Sequence, residues 1–264
     1  MQTYNNWQFK VDNHIATMTI NRPKALNSLS TDTLMELKAI SEHIQANDDI
    51  WAVIVEGTGE HFCAGADVKS FQKLFTSSKE VFQENLRAGQ LCLDAFEAVH
   101  KPKIAKIQGY CIGAGLLLAA MCDFRISTNT ASFSLPEIKR GIAVIMGTAR
   151  ITKLIGIANT KEIALLGENF GVEEATYYGL LNPKYIVSTD KLEETTLQFA
   201  DKFRYLPPRT VQIANQIIDE GLAMDNRGGQ ELEIELQSNL LGSPDWMEAL
   251  MSFFQKRLPK YIGR

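Results

Sequence analysis

A chain of 264 residues is longer than an average domain and shorter than two, so one large α/β unit and a core with an appendage both fit it. Charged residues make up 22% and hydrophobic ones 45%, which excludes a disordered or collagen-like chain and is enough for a sizeable core. The formal net charge of −4 gives no general attraction for a nucleic-acid backbone. In chain order, Trp7 to Val11 and Ile15 to Ile20 alternate apolar with polar residues around Asp12-Asn13, which predicts a β-hairpin. Ser30 is placed to cap a helix over Thr31 to Asn47, with Leu34, Leu37, Ile40 and Ile44 at helical spacing. Trp51 to Val55 reads as a strand buried on both faces, ended by Gly57 and Gly59. A helical stretch from Lys79 to Val99, a second buried strand at Ile104 to Ile107 and a third apolar segment before Asp123 to Ile126 continue a β-α alternation that predicts a parallel sheet covered by helices. Strand-like runs stop near Val187. Four amphipathic helices are then expected over Leu192 to Phe203, Thr210 to Gly221, Asp225 to Leu241 and Trp246 to Leu258, broken at Pro207-Pro208 and Gly242 to Pro244. The division expected is a core over 1–190 and a helical region over 191–264.

The chemistry-bearing residues narrow the classes further. His14, His43, His61 and His100 are scattered and never fall in a ligand motif, so no metal site is expected. No Gly-x-Ser-x-Gly elbow is present. Cys63, Cys92, Cys111 and Cys122 sit in apolar surroundings without paired spacing and read as reduced, buried thiols. The opening MQTYNNWQFK has neither a basic leader nor an apolar run, and the apolar stretch from Cys111 to Cys122 is too short to span a bilayer; the expectation is a cytoplasmic protein with no membrane association. Two glycine segments stand out. Gly109 to Leu118 follows a strand and opens a helix, but Leu118 stands where a dinucleotide fingerprint needs its third glycine. It offers unpaired N–H groups at a helix N-terminus, or alternatively Gly113 and Gly115 merely permit close helix–strand packing. His61 to Lys69 follows another strand with small residues, so the two loops can direct N–H groups at one oxygen.

Four ordered segments resemble the crotonase superfamily, the enoyl-CoA hydratase/isomerase family: Asn21-Arg-Pro-Lys-Ala-Leu-Asn27, Phe62-Cys-Ala-Gly-Ala-Asp-Val-Lys69, Gly109-Tyr-Cys-Ile-Gly-Ala-Gly115 and Phe133-Ser-Leu-Pro-Glu-Ile-Lys-Arg-Gly141. The resemblance implies an α/β spiral of ββα units with a C-terminal helical trimerisation region. It also implies an acyl-CoA thioester as substrate, no cofactor beyond that CoA, and a homotrimer or dimer of trimers. By motif position it assigns the thioester oxygen to the N–H groups of Ala66 and Ala114, where the family usually has Gly at the second place, and proton transfer to Glu137. Ala64, Val68, Gly113 and Leu117 fall in the same substrate-binding segments. Lys24, Ala25 and Leu26 match the adenine-facing segment, Asp67 holds its loop, Lys69 faces a CoA phosphate, and Phe253 and Lys256 match C-terminal CoA contacts. The lysines read equally as a solvated surface. Hydratases of the family use two glutamates; here the first position is Leu117 and only Glu137 remains. A lone carboxylate suits shuttling one proton between two carbons, the task of double-bond isomerases, better than activating water. Glu137 in an apolar setting is expected to have a raised pKa, unless it is a plain surface carboxylate after Pro136. Hydration, decarboxylation and inert acyl-CoA binding stand as alternatives, with pocket walls expected on Val81 to Leu93.

Overall fold

In the computed structural model, residues 4–72 and 76–263 are described. The hairpin pairs β1 (Trp7–Asp12) with β2 (Ile15–Ile20), Asp12 opposite Ile15. Its turn is therefore Asn13-His14, one residue later than Asp12-Asn13, and both residues have positive φ as the tight primed turn requires. His14 accepts this conformation while stacking on Trp51, ring centroids 3.9 Å apart. The helix α1 (Thr31–Ala46) begins at Ser30, whose hydroxyl accepts from the Thr33 N–H at 3.2 Å. β3 (Ala52–Gly57) pairs parallel with β2, and β4 (Lys103–Ile107) and β6 (Phe124–Thr128) follow in parallel. With β8 (Ile186–Val187) the sheet order is β1-β2-β3-β4-β6-β8. The buried strands are thus parallel as expected, and the expected hairpin adds β1 antiparallel at one edge, as its short loop requires.

A smaller second layer explains the spiral. β5 (Tyr110–Ile112) and β7 (Ser132–Ser134) pair parallel, and Cys63 bridges to Cys111 beside them. Each turn of chain therefore runs from a long strand to a short one and then to a helix: β4, β5 and α4 (Ala114–Ala120), then β6, β7 and α5 (Thr148–Leu166). The turn after β3 passes the Cys63 bridge to α2 (Val68–Phe71) and α3 (Lys79–Glu97). The principal core lies between the two layers and their helices and includes Met18, Leu37, Val53, Phe62, Phe96, Cys111, Leu118 and Phe133. α5 was not evident from periodicity because Gly156, at φ 79°, breaks the helical run.

α6 (Val172–Tyr177) precedes β8. α7 (Leu192–Asp201) packs Leu192, Phe199 and Ala200 onto Ile54, Ile104 and Ile126, on the face of the sheet opposite the main core. α8 (Pro208–Gly221) starts at Pro208, a residue preorganised for a first helical turn. α9 (Asn226–Ser238) and α10 (Pro244–Gln255) complete the C-terminal region, capped by Asp225 and Ser243. Each ends a few residues before its periodicity does: α10 stops where Lys256 turns left-handed at φ 55°. Among the described residues no helix is long and apolar enough to cross a membrane.

Candidate active site

Three successive turns of the spiral deliver their loops to one place. Cys63, Cys111 and Phe133 are register neighbours, and Ala66, Ala114 and Glu137 follow them by three, three and four residues. The convergence is close. A Cβ built on Gly65 would lie 3.0 Å from the Ile112 carbonyl oxygen and 3.6 Å from the Ala114 nitrogen. One built on Gly113 would lie 2.7 Å from Glu137 Oε1 and 3.7 Å from Gly65 Cα. With φ at 101° and 55°, both positions require glycine for conformation and for space.

Ala114 is the first residue of α4, so its N–H has no partner within the helix; Gly113 before it donates instead to the Ser134 carbonyl at 2.8 Å. Ala66 is held from behind. The Leu29 N–H donates to the Gly65 carbonyl at 2.8 Å and the Asp67 N–H to the Leu29 carbonyl at 2.9 Å. Among the described residues neither the Ala66 nor the Ala114 N–H donates to a protein acceptor. Two free donors on neighbouring loops, one of them at the positive end of a helix, suit an oxygen that acquires negative charge.

Both alanines line a cavity of about 150 Å³. Leu29, Leu34, Phe71, Phe82, Leu86, Leu93, Leu117, Ile142, Ile145 and Met146 form most of its wall, so the expected Val81 to Leu93 segment contributes three of its side chains. Among the described residues Glu137 is the one lining side chain with a charge. It follows Pro136 in a short 3-10 turn whose end at Gly141 is left-handed, and this turn projects it inward. Burial pushes its carboxyl pKa above the ordinary 4.5, and Oε2 is buried without a hydrogen-bond partner among the described residues. Leu117 is 3% exposed and packs against the α-carbon side of Gly147, at the head of α5.

Asp67 accepts from the Lys69 N–H at 3.1 Å and from Arg22 Nη2 at 2.7 Å, and this guanidinium holds its carboxyl below the usual range. Arg22 also donates to the Ser28 carbonyl. Asn27, fully buried, donates to the Thr58 and His61 carbonyls and accepts from the Arg22 N–H. Arg22 and Asn27 were visible in the first motif, but their role was not, because the partners Asp67, Thr58 and His61 lie 31 to 45 residues away. Lys24, Ala25 and Leu26 run beside the second motif, with the Ala64 N–H on the Leu26 carbonyl at 3.0 Å. Lys24 and Lys69 are exposed on these adjoining segments and do not line the cavity. Val68 does line it. Phe253, 78% exposed, and Lys256 lie at the end of α10 and are not brought to the cavity within one chain. His61 stacks on Tyr110 at 4.2 Å and His43 meets the edge of Phe9; both are packing groups. Burial raises the thiols of Cys63 and Cys122 to about 12, so neither is a nucleophile near neutral pH.

A family model described as enoyl-CoA hydratase/isomerase matches residues 10–264. The chain is 32% identical over 255 residues to the short-chain-enoyl-CoA hydratase of Clostridium acetobutylicum, covering 96% of each protein. It is 30% identical to a peroxisomal Delta(3,5)-Delta(2,4)-dienoyl-CoA isomerase of Arabidopsis thaliana, covering 95% of this chain and 93% of that one. The crystal structure of an enoyl-CoA hydratase from Bacillus anthracis superposes with a TM-score of 0.90 at 31% identity, over 98% of this chain and all of that one. The chain belongs to the enoyl-CoA hydratase/isomerase family, the crotonase superfamily, and is an acyl-CoA-processing enzyme of it.

Proposed function

We propose that the protein moves the double bond of an enoyl-CoA, using Glu137 as its single proton carrier. The observation that carries this reading is the wall of the cavity, where one carboxylate faces an otherwise apolar lining that includes Leu117, the position to which the motif resemblance assigns a second glutamate in hydratases. Glu137 in its ionised form removes a proton from the carbon next to the thioester. The electron pair of that C–H bond forms a double bond to the carbonyl carbon and the carbonyl π pair moves onto the thioester oxygen, giving a dienolate whose negative charge the Ala66 and Ala114 N–H groups hold; the original double bond relocates when this dienolate is reprotonated. One such donor is worth about 3 kcal/mol in comparable sites. Glu137, now protonated, returns the proton to the far carbon of the former double bond, so the product is an isomer of the substrate and the carboxylate is regenerated. The raised pKa of Glu137 supports both halves of this cycle, since a base poised nearer neutrality also gives its proton back readily.

Lys24 and Lys69, on segments tied by hydrogen bonds, are the proposed contacts for CoA phosphates, with Ala25 and Leu26 facing the adenine. Phe253 and Lys256 would reach CoA from a neighbouring copy in a homotrimer or dimer of trimers. The apolar side chains exposed in the C-terminal region support that assembly: Phe253 and Phe254 on α10, and Leu241 and Leu258 in the segments flanking it, are each at least 74% exposed. No cofactor beyond the substrate's CoA is invoked. The cytoplasm, where thiols stay reduced, is the proposed compartment, supported by four buried free cysteines.

Hydration is the second reading, favoured by the hydratase names of the relatives above. It needs a group other than residue 117 to orient water, and the apolar wall supplies none among the described residues. Replacing Glu137 by Gln decides the proton carrier. The account expects turnover of 3-enoyl-CoA to fall at least a thousandfold, on the order of general acid–base contributions, with acyl-CoA affinity unchanged. Turnover within a few fold of the parent would overturn the assignment.

A further inference from the structure

Two local departures from backbone preference meet at one contact beside the cavity. Met146 has a φ of 69°, a region that a long L side chain rarely adopts. Gly89 sits buried in the interior of α3, where alanine is the better helix former. The two are complementary: a Cβ on Gly89 would lie 2.9 Å from Met146 Cε, 3.2 Å from its Sδ and 3.8 Å from Leu34 Cδ1. The missing Cβ is thus a notch in α3 that seats the thioether.

What the contact separates is visible from the two cavities around it. Ile145 and Met146 line the apolar chamber that holds Glu137. The same two residues line a more open groove of about 500 Å³, whose other walls include Asp94, Glu97, Arg150 and Lys153. Arg150 is paired there with both Asp94 and Glu97, so the groove is ionic where the chamber is apolar. Met146 therefore stands as a partition, with hydrocarbon wall on one side and charged side chains on the other. An apolar chamber of about 150 Å³ holds a guest of benzene size, about six carbons. An acyl chain longer than that presses on the wall, of which Met146 is part.

We propose that Met146, seated on Gly89, sets the upper limit of acyl length, so that the enzyme prefers enoyl-CoA chains of about four to six carbons. The inference rests on the acyl-CoA reading of the site given above. Each methylene that the wall excludes costs roughly tenfold or more in kcat/KM. Removing the partition lets the tail of a longer chain emerge into the ionic groove, where it gains little but is no longer refused.

The test is kcat/KM across straight-chain enoyl-CoA thioesters of four, six, eight and ten carbons for the parent protein, Met146→Gly and Gly89→Ala. Glycine adopts the φ of position 146 freely, so Met146→Gly keeps the fold while opening the wall. The inference expects the parent profile to fall steeply beyond six carbons and Met146→Gly to raise the ten-to-four ratio by about tenfold or more. Gly89→Ala, which presses the thioether into the chamber, is expected to lower the six-to-four ratio instead. A flat parent profile, or ratios unchanged in both variants, would overturn the partition while leaving the acyl-CoA reading in place. Failure of the parent to bind or turn over any length would overturn that reading and the partition with it.

Discussion

The role proposed for Glu137 follows from what surrounds it rather than from what it is. Desolvation raises its carboxyl above the ordinary 4.5, so the base form needed to start the reaction accumulates only at higher pH. The acid limb of a kcat/KM profile is therefore expected to lie above the range of an exposed glutamate, and a limb at or below 4.5 would contradict the burial argument. The linkage to stability has a definite sign. A carboxyl whose folded pKa is raised favours folding while it is protonated, and that contribution is lost as pH rises through the folded value. Glu137→Gln, neutral at every pH, is accordingly expected to melt at the same or a higher temperature than the parent above neutral pH, measured by calorimetry. Asp67 has the opposite sign: its lowered pKa gives stability present above 3.8 that disappears as pH falls through the folded value. Its partner Arg22 positions the Ala66 loop without facing the cavity. Arg22→Ala is expected to cost about 1.5–3 kcal/mol of stability and to lower kcat more than it changes KM, while the acid limb set by Glu137 stays in place. A shifted acid limb would count against a positioning role. The motif containing Arg22 was legible in the sequence, but its salt bridge was not, since nothing local links residues 45 apart.

At the scale of elements, the site is a consequence of repetition. The long strands were legible as continuous apolar runs, and the Ser30 cap marked the start of α1 within a residue. The short strands β5 and β7 were not, because three residues are too few to show a period of two. Yet it is these strands, with the Cys63 bridge, that bring Ala66, Ala114 and Glu137 to equivalent stations of successive turns. Motif resemblance named the three residues; only the register shows why they meet. Helix ends are handled by two buried lysines. Lys101 Nζ donates to the Ile44 and Asn47 carbonyls at 2.5 and 2.6 Å, closing α1, and Lys103 Nζ donates to the Glu97 and Val99 carbonyls, closing α3. Lys101→Met removes the charged donor from both carbonyls, leaving only the Asn47 N–H on Ile44 and the Ile50 N–H on Asn47, and is expected to cost about 1–3 kcal/mol, seen as a lower urea midpoint at unchanged slope. An unchanged midpoint would show that water replaces the lysine at no cost.

For the whole molecule, the change in pattern near residue 190 was legible, and the packing adds detail to it: α7 belongs to the sheet's second face, while α8 to α10 extend beyond. Asp245, 2% exposed, accepts from the Ile262 and Gly263 N–H groups at 2.8 and 2.9 Å and so folds the chain's end back against α10. The proposed trimer predicts that sedimentation of the parent gives a multiple of three chains and that Phe254→Glu, at a side chain 77% exposed in one chain, releases monomers; a monomeric parent at micromolar concentration would remove that part of the account. The net charge of −4 does not describe the local surface, where Lys24 and Lys69 are exposed on segments joined by the Ala64 N–H on the Leu26 carbonyl. The central claim is that one carboxylate moves a proton within the substrate and adds nothing to it. Chromatographic separation of the products from 3-enoyl-CoA and 2-enoyl-CoA against both authentic isomers, with mass detection, tests it most directly. The account predicts conversion of 3-enoyl to 2-enoyl thioester at unchanged mass, abolished by Glu137→Gln; conversion of 2-enoyl-CoA to a product heavier by one water, with no isomer formed, would contradict it.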